Sequence, residues 1–119
     1  MPKKTGSKSG RKLSARRRYR KGYRLEQRAS DQLEALGYYV LRSAGSHGPA
    51  DLVALSTSGL NGIAGPHVRL VQVKANRPPS RAQRAELRAL RRRLRGLPIT
   101  VELWRYNDRQ RSARIEVIR

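Results

Sequence analysis

A chain of 119 residues and 13.5 kDa has room for one domain and is too short for two. Its 28 Lys and Arg against 8 Asp and Glu give a formal net charge of +20, which argues for a polyanionic partner, nucleic acid ahead of an anionic membrane surface. No apolar run approaches the ~20 residues of a spanning helix, no signal-peptide core follows the basic N-terminus, and the lack of cysteine excludes disulfides and thiolate metal sites and fits a cytoplasmic protein.

Residues 1–21 hold ten Lys or Arg, no acid, and Leu13 as the one large aliphatic side chain beyond Met1. Such a segment buries too little apolar surface to order itself alone. It reads as a basic arm, in which Arg17, Arg18 and Lys21 are candidate phosphate contacts and Leu13 to Arg20 can extend the first helix. Residues 22–119 read as one folded domain. Arginine outnumbers lysine 22 to 6, either because its planar fork suits phosphate or because a GC-rich genome favours its codons.

From Tyr23 to Leu36 the periodicity predicts a helix whose apolar face is Leu25, Ala29, Leu33 and Leu36, stopped by Gly37. Residues 38–43 predict a strand, 44–49 a loop, and 50–55 a second strand. The Gly-rich stretch 56–67 predicts a long, mobile hairpin loop containing His67. Residues 68–75 predict a third strand, with Leu70, Gln72 and Lys74 on one face and Val71 and Val73 on the other. Ser80 begins a second helix with Gln83 at the capping-box position. Leu87, Leu90 and Leu94 form its buried stripe and Gly96 ends it. Strands at 99–106 and 113–118 follow, joined by a turn at Asn107-Asp108. The order αβββαββ predicts an α/β domain, one mixed sheet flanked by helices.

Three pieces of this chain carry chemistry. Hydrolysis of a phosphodiester needs a metal that activates water and neutralises the phosphate, and magnesium prefers hard oxygen ligands. Asp51 supplies a carboxylate, Gln72 a side-chain carbonyl and Val73 a backbone carbonyl. Glu26 can reach the same ion directly or through water. Lys74, on the face of Gln72, is suited to orient water or meet developing negative charge. These groups converge if the strands bearing Asp51 and Gln72 pair as a hairpin. His47 is a general base or metal ligand in one reading and an exposed loop residue in the other. Trp104 belongs to the core or to a dimer interface.

Glu26, then Arg42-Ser43-Ala44-Gly45-Ser46 leading to Pro49-Ala50-Asp51, then Gln72-Val73-Lys74 resembles the PD-(D/E)xK nuclease superfamily. Within it the chain is most similar to the archaeal-type Holliday junction resolvases, also found in phages. The resemblance covers roughly residues 21–95. It implies a restriction-endonuclease-like fold and a homodimer that nicks four-way DNA junctions symmetrically with Mg2+ or Mn2+, with no membrane and no small-molecule substrate involved. Carried over by position, Glu26 and Asp51 match the two acids and Lys74 the catalytic lysine. Ser46 matches a serine near the scissile phosphate, and Gln83 a polar residue at the edge of the site. Gln72 stands where the motif has Glu, and offers an oxygen without charge. It is a working variant, an inactivating substitution, or the mark of a silent binder.

Around this core Arg42, Arg77, Arg81, Gln83, Arg84 and Arg88 are the expected DNA contacts, since Glu86 is the one acid among the helix arginines. Two alternatives remain: a non-catalytic basic nucleic-acid-binding protein, and a nuclease of the same fold that cuts other branched or duplex DNA.

Overall fold

The computed structural model describes residues 22–43, 48–57 and 65–119. Helix α1 runs through residues 22–35. Leu25, Ala29 and Leu33, one turn apart, are buried as a single stripe. Gly37 adopts φ 95°, and the bonds Tyr38 N–H to Leu33 O and Gly37 N–H to Glu34 O close the helix end as a Schellman motif. The strands are β1 (Tyr39–Arg42), β2 (Leu52–Ser56), β3 (His67–Ala75), β4 (Ile99–Tyr106) and β5 (Arg114–Val117). Helix α2 (Arg81–Arg93) lies between β3 and β4.

The protein is α/β, with one five-stranded mixed sheet in the order β1-β2-β3-β4-β5. All neighbours are antiparallel except β3 and β4, which are parallel and therefore need the crossover that α2 supplies. Side-chain alternation sorts the core into two layers. Leu25, Ala29 and Leu33 of α1 pack on Leu52, Ala54, Val71, Trp104 and Tyr106. On the other face, Leu87, with Leu90 and Leu94, packs on Leu70, Val101, Leu103 and Ile118. Trp104 is a core residue, 2% exposed.

The α2 N-terminus is a full capping box: Ser80 Oγ accepts from Gln83 N–H, and Gln83 Oε1 accepts from Ser80 N–H. Strand limits shift by one or two residues from those expected, β2 starting at Leu52 rather than at residue 50. His67 corrects the sequence reading. It opens β3 and is buried, with Nε2 3.5 Å from Thr100 Oγ1; a loop position would have left it in water. The expected hairpin loop falls mostly on residues 58–64, outside the described residues.

The α1 face also holds a buried ion pair. Arg69 donates from Nε and a terminal nitrogen to the two Glu102 oxygens at 2.8 and 2.6 Å. Its guanidinium lies 5.4 Å from the ring centres of both Tyr38 and Trp104. Burial pushes the Glu102 carboxyl up, but bonds from Arg69, Thr100 and Trp104 outweigh it and hold Glu102 below the usual carboxylate range.

Candidate active site

The site forms where β2 begins to pair with β3. Leu52 faces Val71, yet Asp51 N–H also donates to the Val71 carbonyl at 2.8 Å. Two residues of the entering chain thus address one on β3, the geometry of a β-bulge, which re-aims a side chain. The Asp51 carboxylate is carried past the end of the ladder and accepts the Val73 N–H at 2.7 Å. The N–H and C=O of one strand residue point to the same edge, so the Val73 carbonyl lies along this edge too. Gln72 and Lys74 flank Val73 and share the α2 face of β3.

Gln72 is half-buried, and its Oε1 is shielded from water with no hydrogen-bond partner among the described residues. An unpartnered buried carbonyl oxygen costs about 1–3 kcal/mol.

Burial raises the Asp51 carboxyl above its usual range, against the pull of the Val73 N–H and of Lys74. Burial likewise raises Glu26, helped by the charge of Asp51 and opposed by Arg42. The two acids, 25 positions apart, therefore share one electrostatic environment. Their mutual repulsion is the situation a bound cation relieves. Among the described residues no three Asp, Glu, His or Cys side chains gather. Were an ion bound here, the two carboxylates, the Gln72 oxygen and the Val73 carbonyl are the groups that would offer it hard oxygens, the ligand type magnesium and manganese take.

Several expected residues have other employment. Arg42 donates to Gln27 Oε1 and to the Tyr23 carbonyl, each at 3.0 Å, and stacks 4.3 Å from the Tyr23 ring centre. It braces α1 against β1 and so sets the position of Glu26. The side chain of Gln83 is spent on the α2 cap, not on the site. Arg84 forms a two-pronged ion pair with Glu116 of β5. Arg77, Arg81 and Arg88 are exposed. Arg17, Arg18, Lys21, Ser46 and His47 lie outside the described residues.

Other residues that shape the site were not visible in the spacing. Asn76 adopts φ 59°, a left-handed conformation Asn tolerates better than most residues. It exchanges bonds with Asp108, accepting that residue's N–H at 2.7 Å and donating to its carboxylate at 3.1 Å. These bonds tie the end of β3, just past Lys74, to the β4–β5 turn. Only Asn's tolerance of turns hints at this in the sequence.

No family model matches the chain, and no curated protein matches it.

Proposed function

We propose that this protein is a structure-selective DNA endonuclease of restriction-endonuclease-like fold, acting in the cytoplasm as a homodimer that resolves four-way junctions by metal-dependent hydrolysis. The observation that carries this reading is the Asp51 carboxylate held on the edge of β3 by the Val73 N–H, one residue along from Gln72, whose buried oxygen has no partner among the described residues. Asp51, Gln72 and the Val73 carbonyl would hold Mg2+ or Mn2+, with Glu26 directly or through water. Such an ion, when bound, lowers the pKa of a water and neutralises charge on the phosphate under attack.

The chain's own groups do the rest. Lys74 meets the charge that develops on the scissile phosphate. Glu26, braced through Arg42, accepts a proton or orients water from the α1 side. The basic surface, including Arg77, Arg81 and Arg88, grips the junction arms through phosphates without reading bases. The large net charge alone also suits a non-catalytic binder. Against that stands the electrostatic pairing of two acids, Glu26 and Asp51, in so basic a chain, which a pure binder has no use for.

Cleavage of a synthetic four-way junction, a flap and a linear duplex, compared at equal salt with Mg2+ or Mn2+, tests the proposal. Paired, opposed nicks in the junction alone are the expected result. Tight binding of an uncut junction would sink the enzyme reading. Equal cutting of the linear duplex would move the protein to the other nuclease reading.

A further inference from the structure

A row of cations continues from the site across the α2 face of the sheet. Lys74 of β3 stands in register with Arg105 of β4, and Arg105 with Arg114 of β5. At about 4.8 Å between strands, the row spans roughly 10 Å of backbone. One residue further along, Glu116 faces Leu103, and Arg84 reaches down from α2 to hold its carboxylate with both terminal nitrogens. Arg84, Leu103, Arg105, Arg114, Ile115 and Glu116 line a cavity of about 400 Å3.

Three arginines therefore surround one carboxylate, and positive charge is in excess. Arg84 first, and Arg105 and Arg114 with it, hold Glu116 below the usual carboxylate range. The Arg105 Nε is buried without a hydrogen-bond acceptor. A buried guanidinium donor left unmade is costly, and no acceptor among the described residues, Glu116 included, reaches this nitrogen. Arg84 and Glu116 are themselves 30% and 46% exposed at their side chains. An ion pair that open to solvent contributes little, so exchanging its acceptor is cheap.

We propose that Arg105, Arg114 and Arg84 form a second phosphate subsite, continuous with Lys74, in which the Glu116 carboxylate occupies the place of a DNA backbone phosphate until DNA arrives. The subsite rests on the nucleic-acid part of the proposed function and not on cleavage. Its distance from Lys74 suits a phosphate neighbouring the one under attack. Arginine forks match phosphate oxygens as well as carboxylate oxygens, so the arriving phosphate inherits the bonds of Glu116 and adds the missing acceptor for Arg105. Glu116 then turns to solvent. The carboxylate keeps three like charges from repelling one another in the free protein and competes with DNA for them.

The test is binding of a labelled four-way junction to the full chain in EDTA across a salt series. Arg105→Gln and Arg114→Gln should each lower the slope of log K against log salt by about 1 and weaken binding several-fold. Glu116→Gln should tighten binding several-fold at the same salt. Arg114 lies on an exposed edge strand, so its variant remains informative if Arg105→Gln fails to fold. Unchanged slopes in Arg114→Gln, or binding by Glu116→Gln no tighter than wild type, would overturn the subsite. Cleavage by the same wild-type protein with Mn2+ is scored separately. Its absence counts against the nuclease reading and leaves the subsite standing on its slopes.

Discussion

The Asp51 carboxylate takes the Val73 N–H at 2.7 Å, just where β2 stops pairing with β3. That bond fixes the acid to the backbone between Gln72, whose amide oxygen is buried without a partner among the described residues, and Lys74, whose charge acts on it. A loop residue has thus been given the rigidity of a sheet, which a ligand set for a small hard cation requires.

Asp51→Asn separates the fold from the chemistry. The amide keeps an acceptor for the Val73 N–H and removes a buried charge. A carboxyl whose pKa is raised by folding favours the folded state below its unfolded pKa, and that contribution is lost as pH rises through the folded pKa. At pH 7.5 the ionised Asp51 is therefore a net cost in the metal-free protein. The variant should melt a few degrees higher in EDTA, keep its junction affinity, and lose about a hundredfold or more in cleavage rate. Thermal melts beside a cleavage assay check it, and a lower melting temperature would contradict the assigned burial cost.

The pH profile of cleavage follows from the same two acids. Both Asp51 and Glu26 are raised, and both must be ionised to serve as ligands. The rate should climb with pH through a range displaced above that of ordinary carboxylates and then level off. Because bound metal favours the ionised forms, raising Mg2+ should shift the climb to lower pH. Single-turnover rates at two Mg2+ concentrations give the comparison.

Gln72→Glu restores charge beside Asp51 and Glu26. In EDTA the added repulsion should lower the melting temperature. Mg2+ or Mn2+ should then raise it more than in wild type, since stabilisation grows as RT ln(1 + [L]/Kd). Identical metal-induced shifts in the two proteins would place Gln72 outside the ligand set.

Ser80→Ala tests the α2 cap. It should cost about 1 kcal/mol in urea unfolding and leave cleavage nearly unchanged, since Gln83 serves the helix and not the phosphate. A large loss of activity at unchanged stability would return Gln83 to the site.

The element order and most of both core stripes were legible because periodicities of two and near four in Leu, Val and Ala record which face is buried; Leu36, expected on the α1 stripe, is instead 65% exposed, because the helix ends at residue 35 and the turn swings it into solvent. Strand β4 was found to the residue. The antiparallel pairing of the strands bearing Asp51 and Gln72 was expected from their order and is what the sheet provides, with the Asp51 carboxylate bonded to the residue between Gln72 and Lys74. The rest was hidden for physical reasons. Nothing local announces that Arg69 and Glu102, charges 33 positions apart, bury each other. His67 read as loop because Pro66 and Gly65 precede it. The Ser80–Gln83 capping box was legible, but the partners of Arg42 on α1 and of Arg84 on β5 were not, because a sequence shows a donor and never its distant acceptor. Arg105 and Arg114 gained significance only through strand register.

The Arg69–Glu102 pair bears on how reliably the chain reaches this arrangement. It joins β3 to β4 diagonally, since Arg69 is in register with Thr100 and Glu102 with Val71. Were β4 to pair one residue out of step, Glu102 would turn to the opposite face and leave a buried guanidinium alone, at a cost of about 3–5 kcal/mol. The same slip would part Lys74 from Arg105. A checkpoint on one side of the sheet thus proofreads the alignment of the charges on the other.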